Sequence, residues 1–123
     1  MKTTLLIVED NDVNRKLVVD MAHFNGMETL EADNGLDAIA IAKEKLPSII
    51  LMDIQLRGKI SGEEAIVALK HEDSNAKDIP IIAVTAFAMR GDKERILQNG
   101  CEEYISKPFI MDQLFEIIGK YTP

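Results

Sequence analysis

Leu5-Leu6-Ile7-Val8-Glu9-Asp10-Asn11-Asp12-Val13 is the stretch on which the fold turns. Four apolar residues in a row, cut off by two acids, read as a short strand covered on both faces, the pattern of a parallel sheet. Val13, Leu17, Met21 and Phe24 then recur at helical spacing, which predicts a helix from Val13 to about Asn25, capped by Asn11 or Asp12 and closed by Gly26. Strand, acidic corner and helix follow one another with no room for a hairpin.

The same alternation runs to the end of the chain. Met27 to Ala32 reads as a second, more polar strand suited to a sheet edge, and Asn34 with Asp37 resembles a capping box for a helix to about Lys45. Ser48 to Asp53 is a third strand, Ile54 to Ile60 a loop, and Ser61 with Glu64 a capping box for a helix through about His71. Ile79 to Thr85 is a fourth strand, with Pro80 near its start, where a missing N–H is tolerated. Gly91 to Asn99 is a helix closed by Gly100, Glu102 to Ser106 a short fifth strand, and Ile110 to Tyr121 a last helix with Leu114, Phe115, Ile117 and Ile118 on its apolar face. Strands alternating one for one with helices predict an α/β, doubly wound (βα)5 domain over residues 1–123, with a five-stranded parallel sheet covered on both faces.

Composition narrows the function. A chain of 123 residues with 46% hydrophobic residues has the material for one packed core and little for a second domain. Its net charge of -7 argues against nucleic acid as a partner, because phosphate backbones need a basic face. No apolar run approaches the ~20 residues that span a bilayer, the start has no cleavage site of a signal peptide, and the lone Cys101 makes no internal disulfide, so a cytoplasmic protein is expected. Cys101 reads as small core packing, the Met residues as core filler, and His23 and His71 as helix residues without metal partners.

In a doubly wound sheet, ligands collect at the carboxyl ends of the strands, near the point where strand order reverses. Glu9-Asp10, Asp53, Thr85 and Lys107-Pro108 each follow a predicted strand. Three carboxylates, a hydroxyl and an ammonium would therefore meet at one rim. Crowded carboxylates repel and raise one another's pKa unless a cation joins them, and oxygen ligands suit Mg2+. Asp53 could then act as a nucleophile toward a phosphoryl group, with the metal and Lys107 neutralising charge and Thr85 donating a hydrogen bond. Taken singly, each residue has an ordinary reading: a helix-capping acid, a strand threonine, a surface lysine. Their joint spacing favours the site.

Val8-Glu9-Asp10-Asn11, Leu51-Met52-Asp53-Ile54, Ala83-Val84-Thr85-Ala86 and Ile105-Ser106-Lys107-Pro108-Phe109 together resemble, in order and spacing, the response-regulator receiver family, from end to end of the chain. Val84-Thr85-Ala86-Phe87-Ala88-Met89-Arg90-Gly91-Asp92 and Gly100-Cys101-Glu102 bring it nearest to single-domain regulators, with receivers of hybrid histidine kinases sharing much of the pattern. The resemblance implies strand order 2-1-3-4-5. It makes Asp53 the phosphoacceptor, and it gives Mg2+ the ligands Asp10, Asp53, Glu9 through water and the backbone carbonyl of Gln55. Thr85 becomes the switch hydroxyl, Lys107 the partner of Asp53 or its phosphate, and Tyr104 an aromatic that turns inward when Thr85 moves. As a static half-buried ring, Tyr104 would be unexceptional. The Lys107-Pro108 bond is expected to be cis. Phe87 and Gln55 would flank the acyl phosphate, Phe87 hindering the attacking water, unless Phe87 packs on the fourth helix or docks a partner.

The expected partners are a sensor histidine kinase or histidine phosphotransferase and a downstream protein target, met by a monomer or weak dimer. Docking is expected at Asn11, Asn14, Leu17, Val18, Phe87, Pro108 and Phe109; if Leu17 is wholly core, Val18 is the more exposed. Arg57-Gly58-Lys59 departs from the family, which usually has proline at the Arg57 position and a loop about one residue shorter. Beside a metal site such a loop could weaken Mg2+ binding or attract an anionic phosphodonor, and a harmless solvated insertion is the favoured reading. The function expected is a phosphorylation switch without its own output domain, not an enzyme acting on other substrates. The rivals are an unphosphorylated adaptor, a receiver excised from a hybrid kinase, and a phosphohydrolase, for which Ile54, Gln55 and Phe87 supply no general base. A flavin-binding fold lacks a phosphate-cradling loop after the first strand.

Overall fold

In the computed structural model, which describes residues 2–86 and 90–122, ten elements alternate: β1 Thr4–Val8, α1 Asp12–Phe24, β2 Glu28–Ala32, α2 Gly35–Lys45, β3 Ile49–Asp53, α3 Gly62–Lys70, β4 Ile81–Thr85, α4 Asp92–Gln98, β5 Glu103–Ser106 and α5 Met111–Lys120. All strand pairs are parallel and the order is β2-β1-β3-β4-β5, as expected. Polar β2 lies at an edge.

The period of two along the strands divides the core. Leu6, Val8, Ile50, Met52, Ile81 and Ala83 face α2, α3 and α4, meeting Ala38, Ala42, Ile66, Leu69 and Ile96. Leu5, Ile7, Ile49, Leu51, Ile82 and Val84 face α1 and α5, meeting Val18, Ala22, Leu114 and Ile118. Two-sided burial is why these strands read as continuous apolar runs. Small residues on α2 let that helix approach the sheet closely.

The caps follow the sequence closely. Asn11 accepts from the Asn14 N–H at 2.9 Å, Asn34 from the Asp37 N–H at 2.9 Å, and Ser61 and Glu64 close a full capping box. Gly26 and Gly100 take the left-handed backbone after α1 and α4 that glycine adopts without cost.

The packing face of α1 differs from the sequence expectation. Val18 is buried at 7% exposure, whereas Leu17 is 54%, Val13 70% and Phe24 86% exposed. Leu17, not Val18, is therefore the exposed one of the pair, while both side chains line the cleft beside Asp53. The helix turns Val18 and Ala22, with half-buried Val19, onto the sheet against Leu5, Ile7 and Leu51. Val13, Leu17 and Phe24 form a solvent-facing stripe, and both sets recur at helical period.

At the far end of the sheet, the nearly buried Lys70 ammonium donates to the Lys77 and Ile79 carbonyls (3.1 and 2.8 Å) and to Glu102 Oε2 (2.9 Å). Glu102 Oε1 in turn accepts from the Ile81 N–H at 2.8 Å. This clamp ties α3, the 71–80 segment and β4 together away from the strand carboxyl ends.

Candidate functional site

β1 has β2 on one side and β3 on the other, so the chain reverses its winding there and opens a crevice at the carboxyl ends of β1 and β3. Glu9 and Asp10 leave β1 at that point and Asp53 closes β3. The three offer carboxylate oxygens within 4.8 Å of one another. Gly62, opening α3, lies so close that a Cβ there would collide with the Asp53 carbonyl. Its N–H donates to Ile54 O at 3.1 Å. Glycine is thus what allows the helix to start against the end of β3.

Lys107 reaches back across the sheet. Its ammonium lies 3.0 Å from Glu9 Oε1 and 3.0 Å from Asp53 Oδ2. Its backbone N–H donates to Thr85 O at 2.7 Å, and the Lys107–Pro108 bond is cis. Asp53 Oδ1 accepts from the Gln55 N–H at 2.9 Å. Asp53 is 5% and Thr85 1% exposed, so the rim's polar groups are held out of bulk water.

Burial sets the electrostatics. Burial first, and the Glu9 carboxylate second, push Asp53 up to about 7 despite Lys107. Burial also opposes the charge on Glu9, but hydrogen bonding with Asp53 and Lys107 outweighs it and holds Glu9 below the usual carboxylate range. For Lys107, burial is likewise outweighed by its bonds to Glu9 and Asp53, and its pKa rises. Glu9 Oε2 is buried and accepts no hydrogen bond among the described residues. With all three carboxylates ionised, the Lys107 ammonium and the exposed Arg57 guanidinium still leave one negative charge uncompensated. An orphaned buried oxygen, oxygen-only donors and that charge deficit fit a hard divalent cation.

Gln55 was expected to lend its backbone carbonyl and to flank the acyl phosphate. Its side chain also bridges to β4, Nε2 donating to Thr85 Oγ1 at 2.6 Å and Oε1 accepting from the Ala86 N–H at 3.0 Å. Arg15 was not singled out. Its guanidinium donates to the Glu9 carbonyl (2.8 Å), Asp12 (2.7 Å) and Glu31 (3.0 Å), and so fixes the corner that carries the acids. No local pattern marks an arginine on α1 as a brace for a carbonyl six residues earlier. Arg57 folds over the site. Its N–H donates to Asp10 Oδ2 at 2.9 Å and its guanidinium approaches the same oxygen at 3.8 Å.

Exposed Asn14 and Pro108 and half-buried Phe109 line a cleft of about 500 Å3 that opens from Asp53 and Lys107 between α1 and the start of α5, and Asn11 is exposed at the cap of α1. Tyr104 is half-buried, with a buried hydroxyl that has no partner among the described residues. Phe87 lies outside the described residues. Cys101 is buried and donates to Ile96 O at 3.4 Å, and burial lifts its thiol to about 11, which agrees with a packing role. His23 and His71 are exposed and far from the acid cluster in the sheet.

Residues 5–119 match the family model of the response regulator receiver domain. The chain belongs to that family. It is 50% identical over 121 residues to the polar-differentiation response regulator DivK of Brucella anthropi, covering 98% of this chain and 97% of that one. DivK of Brucella ovis is 49% identical over the same span. Among solved structures, the receiver domain of a sensor histidine kinase from Pseudomonas aeruginosa PAO1, described with magnesium coordinated in its active-site cleft, superposes with a TM-score of 0.87 at 32% identity, covering 98% of each chain. The chemotaxis protein CheY4 of Vibrio cholerae shares the fold, with a TM-score of 0.88 at 22% identity. This chain is thus a receiver domain of the DivK-like type, consistent with two-component signalling. Among the described residues no helix is long and apolar enough to cross a membrane.

Proposed function

We propose that this receiver is a phosphorylation switch in which Asp53 takes a phosphoryl group from a phosphohistidine on a sensor histidine kinase or histidine phosphotransferase. The observation that carries this reading is the Lys107 ammonium held 3.0 Å from both Asp53 and Glu9, beside Asp10. An Asp53 oxygen attacks phosphorus, the bond to the donor imidazole nitrogen breaks, and its electron pair leaves on that nitrogen. Lys107 and the Gln55 N–H hold the Asp53 carboxylate in place, and Lys107 can shift its remaining bonds to the added phosphoryl oxygens.

Asp10, Asp53, Glu9 through water and the Gln55 carbonyl would hold Mg2+, which supplies charge neutralisation on the phosphoryl oxygens. A pKa near 7 for metal-free Asp53 leaves part of the nucleophile protonated at neutral pH, and a bound cation favours its ionised form.

Thr85 serves as the switch hydroxyl, released from Gln55 when the phosphoryl group draws it. Tyr104, whose hydroxyl has no bond to break among the described residues, is free to move with it. The donor docks on Asn14, Leu17, Val18, Pro108 and Phe109, which line the cleft leading to Asp53, and on exposed Asn11 at the start of α1. The protein acts in the cytoplasm, as a monomer or weak dimer, through contacts with a downstream protein; it catalyses its own phosphorylation and dephosphorylation only.

Intact mass after treatment with acetyl phosphate tests the reading. One phosphoryl group should be gained with Mg2+, none without it, and none in Asp53→Asn. If acetyl phosphate and a phosphorylated histidine donor both leave the folded, Mg2+-loaded protein unmodified, an unphosphorylated adaptor becomes the better account.

A further inference from the structure

The loop between β3 and α3 places a positive charge on the acid cluster itself. Arg57 touches Asp10 twice, its N–H at 2.9 Å and its Nε at 3.8 Å from the same Oδ2. The two contacts differ in kind. The amide bond is short and fixes the carboxylate's direction, while the guanidinium is 92% exposed and can swing into solvent. Asp10 is 18% exposed in its side chain and has no ion pair except with Arg57 among the described residues. Lys107 serves the other two acids. The cluster's cations are therefore divided between an inner ammonium on Glu9 and Asp53 and an outer guanidinium on Asp10.

We propose that Arg57 is a built-in counter-ion for Asp10 that a divalent cation must displace, so that this loop lowers the chain's metal affinity and makes it depend on ionic strength. The inference rests on the metal reading above. A doubly charged ion bound to Asp10 and a guanidinium a few ångströms away repel each other, and Asp10 gives up part of its attraction to Arg57 when it takes the ion. Because the side chain can retreat into water, the cost is a fraction of the full Coulomb repulsion, about a three- to ten-fold loss of affinity at low ionic strength. Screening removes it, since both charges face solvent on that side. Lys59 stands two residues further along the same exposed loop and reinforces the sign of the field.

The test is calorimetric Mg2+ titration of the full chain, wild type beside Arg57→Ala, Arg57→Lys and Arg57→Glu, at about 20 mM and about 0.5 M ionic strength. Arg57→Ala keeps the backbone N–H and removes only the charge, and an exposed side chain carries little folding risk. Binding about three- to ten-fold tighter in Arg57→Ala, tighter still in Arg57→Glu and within about two-fold of wild type in Arg57→Lys, with the differences collapsing at high salt, is the expected result. Equal or weaker binding by Arg57→Ala at low salt overturns the inference while leaving the metal site intact, as does a gain that persists at high salt. Wild type that takes up no Mg2+ at either salt concentration overturns the metal reading and this inference with it.

Discussion

Replacing Asp53 with Asn should make the metal-free protein more stable at pH 8 and leave it little changed at pH 5. Burial and Glu9 raise Asp53 from 3.8 to about 7, so the folded state prefers the protonated acid. A group with a raised folded pKa contributes stability that is fully present below its unfolded value and is lost as pH rises through the folded one. For Asp53 the loss runs from about pH 4 to about pH 7 and amounts to about 4 kcal/mol once both forms are ionised, at 1.36 kcal/mol per pH unit. Asparagine has no proton to lose, so it escapes that penalty. Its amide is an imperfect match for the protonated acid in the geometry of its bonds to Lys107 and Glu9, which returns about 1–2 kcal/mol. The expected net gain at pH 8 is about 2 kcal/mol, or a rise in Tm of about 5–10 °C for a domain of this size. Thermal and urea unfolding in EDTA at pH 5 and pH 8 measure it. Saturating Mg2+ should narrow the gap by stabilising wild type through binding. An Asp53→Asn protein no more stable than wild type at pH 8, or equally stabilised at both pH values, would refute the claim that desolvation strains this carboxylate.

Other substitutions probe the frame around the site. Gly62→Ala should lose more than about 3 kcal/mol of stability in urea unfolding, because its methyl group meets backbone at Asp53 instead of a side chain that can yield. Arg15→Ala should cost about 1–3 kcal/mol and also weaken Mg2+ binding by calorimetry, since it frees the Glu9 carbonyl and the acid-bearing corner. Lys70→Met should cost about 3 kcal/mol in urea unfolding, by leaving Glu102 without its cation, with Mg2+ affinity unchanged. Tyr104→Phe should raise stability by about 1 kcal/mol in thermal unfolding, because it deletes a buried hydroxyl with no partner among the described residues.

The fold was legible because its determinants are local and repeated. Ile49-Ile50-Leu51-Met52 is apolar on both faces, Ser61-x-x-Glu64 announces a helix start, and Gly26 and Gly100 announce helix ends. Parallel order follows from alternation, and the site follows from parallel order, since chemistry collects where Glu9, Asp10, Asp53, Thr85 and Lys107 leave their strands. The misreading on α1 has the same origin. Val13, Leu17 and Phe24 have the period of a buried face, and so do Val18 and Ala22; period alone does not say which of two apolar stripes meets the sheet. The stripe of Val18 and Ala22 meets the sheet, and the stripe left in solvent places Leu17 on the cleft to Asp53. Contacts between residues far apart in sequence were the least legible. The Gln55 side chain on Thr85, Arg15 on the Glu9 carbonyl and Arg57 on Asp10 each depend on where a loop or helix face comes to rest after folding. These are also contacts that a substitution can change while Glu9, Asp10, Asp53, Thr85 and Lys107 stay in place. Differences among receivers in metal affinity and in the hold on the hydroxyl at the Thr85 position should therefore be sought in such braces and straps, not in the acids they surround.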